Sequence, residues 1–257
     1  MTSSILPLLL PAVVVAMGLA VFLPVPMDLT GRFLQHLLSP AVQILAASSA
    51  AILLRQAAAG YGPRDHERRV WRLGALAAGL WVIGLLVYAI TEWSGQARAY
   101  PSAADGFLVG AFLVLLLALA EEFRLVNSIL TRGQRQLLAG GALALWVVVI
   151  ARFVWPIATS ALDPVEKSLD LFYASTVALL FPLALGPAMA FRGSVSGYVW
   201  LGVAGGVLCL ALSGLGFAYL TSFEVYSDVH PINLLRVAGL AILGASGAWH
   251  RRMLEAA

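Results

Sequence analysis

Charge is what this sequence has least of. Asp, Glu, Lys and Arg together make up 11% of its 257 residues, against about a quarter in a soluble domain. That shortage excludes an ordinary water-exposed surface. Cysteine occurs once, as Cys209 inside an apolar run, so there is no disulfide framework and the thiol reads as a small core residue. The lone lysine, Lys167, falls in a segment read as a loop, which excludes a buried Schiff base. The four histidines, His36, His66, His230 and His250, lie away from mid-span, so no pair flanks a bilayer-buried haem. They are also too few and too scattered for a metal site. Phosphate-binding glycine loops, nucleophile elbows and zinc-protease helices are missing. No convergent acid, base and nucleophile set is visible. The reading is therefore non-enzymatic, with no cofactor and no metal. A net charge of +3 does not imply nucleic-acid binding.

What the chain has instead is apolar length. Hydrophobic residues make up 61%, and mean hydropathy is +0.90. Nearly uncharged runs recur along its whole length, the signature of transmembrane helices. We read an all-α, polytopic integral membrane protein, a single domain over 1–257, with eight spans at 5–24, 40–57, 71–91, 102–122, 137–158, 166–190, 196–221 and 231–249. The second is interrupted by Gln43, Ser48 and Ser49. The N-terminal run lacks the positive leader of a signal peptide and is long enough to span, so it reads as a retained first helix.

Placement of charge sets the orientation. Arg55, Arg64, Arg68, Arg69, Arg72, Arg124, Arg132, Arg135, Arg192, Arg251 and Arg252 fall on one side of the eight spans, and only Arg32, Arg98 and Lys167 on the other. The positive-inside rule then places the first side, with both termini, in the cytoplasm. Acidic residues lean outward: Asp28, Glu92, Asp105, Asp163, Glu166, Asp170, Glu224 and Asp228. An acidic rim attracts cations, but outer loops that lack arginine need some polar residue in any case.

A faint internal period runs through the chain. Leu80-Trp81-Val82 recurs as Leu145-Trp146-Val147, an offset of 65 that also carries Asp105 onto Asp170 and Phe107 onto Phe172. Inward-running helices open at Ser39-Pro40, Pro101-Ser102, Asp163-Pro164 and His230-Pro231. Proline suits a first helical turn, where its missing N–H has no partner to lose. Asp163 reads as a cap with Glu166 reaching back, and Ser102 and Asp105 have capping-box spacing. The pattern predicts four helical hairpins of one topology, packed through small residues such as Gly202, Gly206, Gly239, Gly244 and Gly247.

Two arginines fall inside predicted spans, Arg152 and Arg236, each near an outer end. Charges there are costly and face a partner or a cavity. Asp105 and Asp170 lie at similar depth, which predicts an Arg–Asp network. It reads as a structural clamp between hairpins, as an anion or polar-ligand site, or as a proton-sensitive latch. Aromatics gather on the same side: Trp93, Tyr100, Trp155, Tyr173, Tyr219, Phe223 and Tyr226. They suit an interfacial belt or, second, a pocket lined by Tyr219, Tyr226 and the arginines.

"YPSAADGFLVGAFLVLLLAL", from Tyr100, resembles the YPS-x-AD signature of polytopic bacterial membrane sensor modules that precede diguanylate cyclase or histidine kinase domains. "SLDLFYASTVALLFPLAL" looks like their degenerate second copy, and "YSDVHPINLLRVAGLAILGASGAW" is similar to their last helix. The likeness spans roughly 70–250, and only "HRRMLEAA" follows Trp249. It implies a sensory or regulatory module of a bacterial inner membrane, without an output domain, that works through a protein partner at the cytoplasmic face or within the membrane. A structural or accessory subunit of a larger membrane complex is the alternative, and a small-solute transporter or channel a third.

Overall fold

The computed structural model describes residues 6–23, 29–94, 100–223, 226–227 and 229–256. Asp28, Arg98, Glu224 and Asp228 lie outside the described residues. Among those described, every regular element is helical: α1 (Leu6–Phe22), α2 (Leu29–Ala59), α3 (His66–Trp93), α4 (Ala103–Val126), α5 (Arg132–Val149), α6 (Trp155–Thr159), α7 (Pro164–Ala190), α8 (Val195–Phe223) and α9 (Ile232–Ala256). Seven segments are long and apolar enough to cross a bilayer. They define a multi-pass helical membrane protein, since only helices with internally satisfied backbones, or closed barrels, cross hydrocarbon. α1, read as the first of eight spans, has 17 residues, the short limit for a crossing.

Local chemistry sets most helix starts. Ser102 and Asp105 form a reciprocal capping box at α4, and Thr131 and Gln134 form another at α5. Asp163 Oδ1 accepts the Val165 N–H at 2.9 Å, with Pro164 in the first turn of α7. Glu166 makes no hydrogen bond back to that cap among the described residues; Asp163 alone does the capping. The turn from α7 to α8 takes four residues, and Gly193 supplies its left-handed conformation at φ 85°.

Proline positions bring one correction. Ser39-Pro40 does not open a helix: α2 starts at Leu29 and carries Pro40 in its interior. A proline costs one backbone bond, and a membrane helix tolerates it when neighbours cover the freed carbonyl. Pro182 and Pro187 likewise sit inside an uninterrupted α7. Pro156 has a visible consequence. Its missing N–H falls where α5 continues toward α6, and the chain widens into a π-helical turn at Ile150–Val154, where the Trp155 N–H reaches back to Ile150 O. Insertion of that kind is a common cause of helix irregularity.

Six helices close a ring: α2 packs on α3, α3 on α4, α4 on α7, α7 on α8, α8 on α9, and α9 back on α2. α1 leans on the outside of α9 and α2. The rod made by α5, the π-turn and α6 docks chiefly on α7. Only 11% of its most apolar window is buried against protein, compared with 33% to 56% for the other long helices. Leu137, Leu143, Val147 and Val148 on that rod are exposed, so this face meets lipid. Within the ring, α8 and α9 come closest. A Cβ on Gly239 would sit 2.8 Å from Gly206 O, and one on Gly206 would sit 2.9 Å from Gly239 O. Such approach maximises van der Waals contact where lipid removes any hydrophobic drive between helices.

Candidate functional site

The ring is not solid. Toward the end away from the arginine-rich loops it encloses a cavity of about 240 Å³. All six ring helices line it: Pro40 and Gln43 from α2, Trp81, Leu85 and Tyr88 from α3, Leu108 and Phe112 from α4, Tyr173 from α7, Leu210, Gly214, Phe217 and Thr221 from α8, and Arg236 from α9. Tyr100 and Tyr226, from the segments before α4 and α9, complete the wall. Edge-to-face contacts chain the rings together: Trp81 on Phe112 at 4.8 Å, Tyr173 on Phe217 at 5.6 Å, and Phe217 on Tyr226 at 4.8 Å. That geometry suits the ring quadrupoles and gives the cavity rigid, flat faces.

The two aspartates stand behind this wall, each almost fully buried at 1% exposure. Asp105 Oδ1 accepts from the Tyr88 hydroxyl at 2.6 Å and the Tyr173 hydroxyl at 3.1 Å. Its Oδ2 accepts from Ser102 N–H at 2.8 Å and lies 3.1 Å from Ser102 Oγ. One carboxylate thus caps α4 and ties α3 and α7 to it. Asp170 accepts from the Tyr100 hydroxyl, from Thr221 Oγ1 at 3.1 Å and from Ser222 Oγ at 2.7 Å, tying α7 to α8 and to the segment before α4. Burial, and then the hydrogen bond to Asp170, push the Tyr100 phenol well above the ordinary tyrosine range, so it stays a donor.

The expected Arg–Asp network is not what the structure contains. Arg236 lines the cavity and donates to Gln43 Oε1 at 2.9 Å. Gln43 in turn donates toward Ser39, with Oγ at 3.3 Å. Among the described residues Arg236 has no carboxylate within ion-pair distance, and it is the one charged side chain on the cavity wall. Arg152 lies outside the ring on the π-turn, exposed, its guanidinium 5.9 Å from the Tyr219 ring and 6.0 Å from Phe153. Tyr219 faces Arg152 rather than the cavity, whereas Tyr226 lines it and donates to Asn233 Oδ1 at 2.9 Å. The reason is geometric. Similar depth does not mean a shared face, and the aspartates' oxygens are taken by tyrosine, serine and threonine hydroxyls and by the Ser102 N–H.

The sequence reading therefore found Arg236, Tyr226 and the two aspartates but missed Gln43, Tyr88, Trp81, Phe112 and Phe217. Gln43 did leave a signal, as the polar residue that weakened the second predicted span.

A second polar cluster sits at the arginine-rich end. Arg69 pairs with Glu121 at 3.1 Å, and His66 Nε2 lies 3.9 Å from Glu122. The Tyr61 hydroxyl meets His250 Nε2, and His250 stacks on Trp71 at 4.8 Å. Burial raises the Tyr61 phenol to about 12, helped by Glu67, Glu122 and Asp65. These contacts join α3, α4, α9 and the α2–α3 turn.

The fold and the site define a class: a multi-pass helical membrane protein with a ligand-sized cavity inside its helix ring. Compared with family models, with curated proteins and with solved structures, the chain matches none.

Proposed function

We propose that the chain is a membrane-embedded sensory module that binds a small organic anion in the cavity and passes its occupancy to a protein partner at the arginine-rich face. One observation carries the reading: every ring helix contributes to the cavity, and Arg236, which donates to Gln43 and has no carboxylate partner among the described residues, lies on its wall. A ligand there touches all six helices, so binding shifts their relative packing as far as the ligand prefers one arrangement. An apolar cavity of about 150 Å³ holds benzene, so about 240 Å³ takes a ring plus an acidic group. The aromatic faces would hold the ring, and Arg236 with Gln43 would hold the acid.

On this reading α1 makes the eighth crossing and the helices pair as four hairpins. The eleven arginines of one face support a cytoplasmic placement of that side and of both termini, and the resemblance at Tyr100–Asp105 supports a bacterial inner membrane. The signature at Tyr100–Asp105 supports the sensory class by its resemblance; within it Tyr100 lines the cavity, and Ser102 and Asp105 cap α4.

Benzoate serves as the probe, with benzamide as the uncharged control. Calorimetry on protein in nanodiscs is expected to show benzoate binding that Arg236→Gln weakens at least tenfold, about 1.4 kcal/mol, while benzamide binding changes little. Equal binding of both probes, or no effect of the substitution, rejects the anion site. Flux of benzoate through proteoliposomes would move the assignment to a transporter. Stoichiometric recovery within one large complex, with no probe binding, would make it an accessory subunit.

A further inference from the structure

The arginine-rich end carries a second concavity, separate from the ring cavity and on the membrane-facing flank of α2 and α3. It is a groove of about 1070 Å³. Its mouth holds Arg55 from α2 and Arg68, Arg69 and Arg72 from α3, with one acid, Asp65. Its floor is apolar: Ala51, Ile52, Ala75, Leu76 and Gly79.

The arginines are not equivalent. Arg69 is held by Glu121 at 3.1 Å, and Arg68 leans on the Tyr61 carbonyl at 3.5 Å. The Asp65 carboxylate is occupied by the Gly62 N–H at 2.7 Å. Arg55 and Arg72, both exposed, have no carboxylate partner among the described residues. They project from facing antiparallel helices, Arg55 four residues before the end of α2 and Arg72 six residues after the start of α3. At 1.5 Å per residue, that is roughly 6 to 9 Å inside the helix ends. The floor continues inward from there: Gly79 lies seven residues beyond Arg72, about 10 Å further along the helix. A Cβ on Gly79 meets nothing within 4 Å, so the inner groove is open.

A cationic mouth over an apolar, unfilled track has the shape of an amphiphile. We infer that this groove is a binding site for an anionic phospholipid, its phosphate between Arg55 and Arg72 and an acyl chain along Ala51, Ile52, Ala75 and Gly79. Basic pockets between spanning helices recognise anionic headgroups by this chemistry. A free phosphate would use the arginines but leave the floor without a role. The site stands apart from the ring cavity and does not depend on the ligand proposed there.

Native mass spectrometry of the full chain, released from micelles containing equal amounts of phosphatidylglycerol and phosphatidylcholine, tests it. The wild type is expected to retain phosphatidylglycerol at least tenfold over phosphatidylcholine. Arg55→Gln with Arg72→Gln removes that preference; Arg132→Gln with Arg192→Gln, on the same face but outside the groove, keeps it. Gly79→Leu fills the floor with every arginine intact and is expected to abolish retention, which also covers the case of a double arginine variant that fails to fold. Equal loss in both arginine pairs means a general surface charge and overturns the site. Retention by Gly79→Leu, or displacement of the lipid by millimolar inorganic phosphate, means an anion site without a lipid and overturns it too.

Discussion

Asp105→Ala is expected to lower stability by about 3 to 5 kcal/mol, the sum of a lost helix cap and two buried hydroxyls left without an acceptor. The carboxylate is 1% exposed and serves three neighbours at once. It accepts the Ser102 N–H at the start of α4, and it accepts the hydroxyls of Tyr88 and Tyr173 from α3 and α7. A lost cap costs about 1 kcal/mol. Each buried tyrosine hydroxyl that loses its acceptor costs about 1 to 3 kcal/mol. Asp105→Asn keeps an oxygen for the cap or for a tyrosine, but not for both, and should lose roughly half as much. Reversible unfolding in mixed micelles measures the difference. A loss under about 0.5 kcal/mol for the alanine variant, the range of an unremarkable surface change, would show that the tyrosines find other acceptors.

Gly239→Ala should cost about 3 kcal/mol, at the upper end for overpacking. Its new methyl would lie 2.8 Å from Gly206 O and 3.0 Å from Leu210 N. Both are backbone atoms, so no side chain can swing aside and α8 must separate from α9. The separation has a functional readout, because Leu210 and Arg236 line the cavity from these two helices. Benzoate affinity is expected to fall along with stability. Gly205→Ala is the control: its methyl meets nothing within 4 Å, and it should be neutral or gain up to about 1 kcal/mol from helix propensity. If the two variants behave alike, the close approach at Gly239 does not hold these helices together.

Much of the helical plan was legible from apolar run length. The spans predicted at 166–190 and 196–221 differ from α7 and α8 by no more than two residues at either end. Ser102, Asp105 and Asp163 announced their caps because capping depends on residues two or three positions apart. Gly206 and Gly239 were visible as candidates for close packing for a similar reason: size is a property of the residue itself. Ring order was not legible. Nothing in the run around Arg152 says that α5 lies outside the ring, and the Asp105 partners sit 17 and 68 residues away in sequence. Pro40 misled because a proline marks a helix start in water, where an interior one is rarely tolerated, and membrane helices relax that rule.

The seam between α2 and α9 has a consequence for biosynthesis. Gln43 and Arg236 meet across it, 193 residues apart in the chain. At about 5 to 20 residues per second, the ribosome delivers the arginine roughly 10 to 40 s after the glutamine. Until then the ring lacks its sixth member, although Trp81, Phe112 and Tyr173 are already in the chain. The cavity comes into being only when the last helix enters. A message cut short before α9 therefore yields most of the wall without the Arg236 guanidinium.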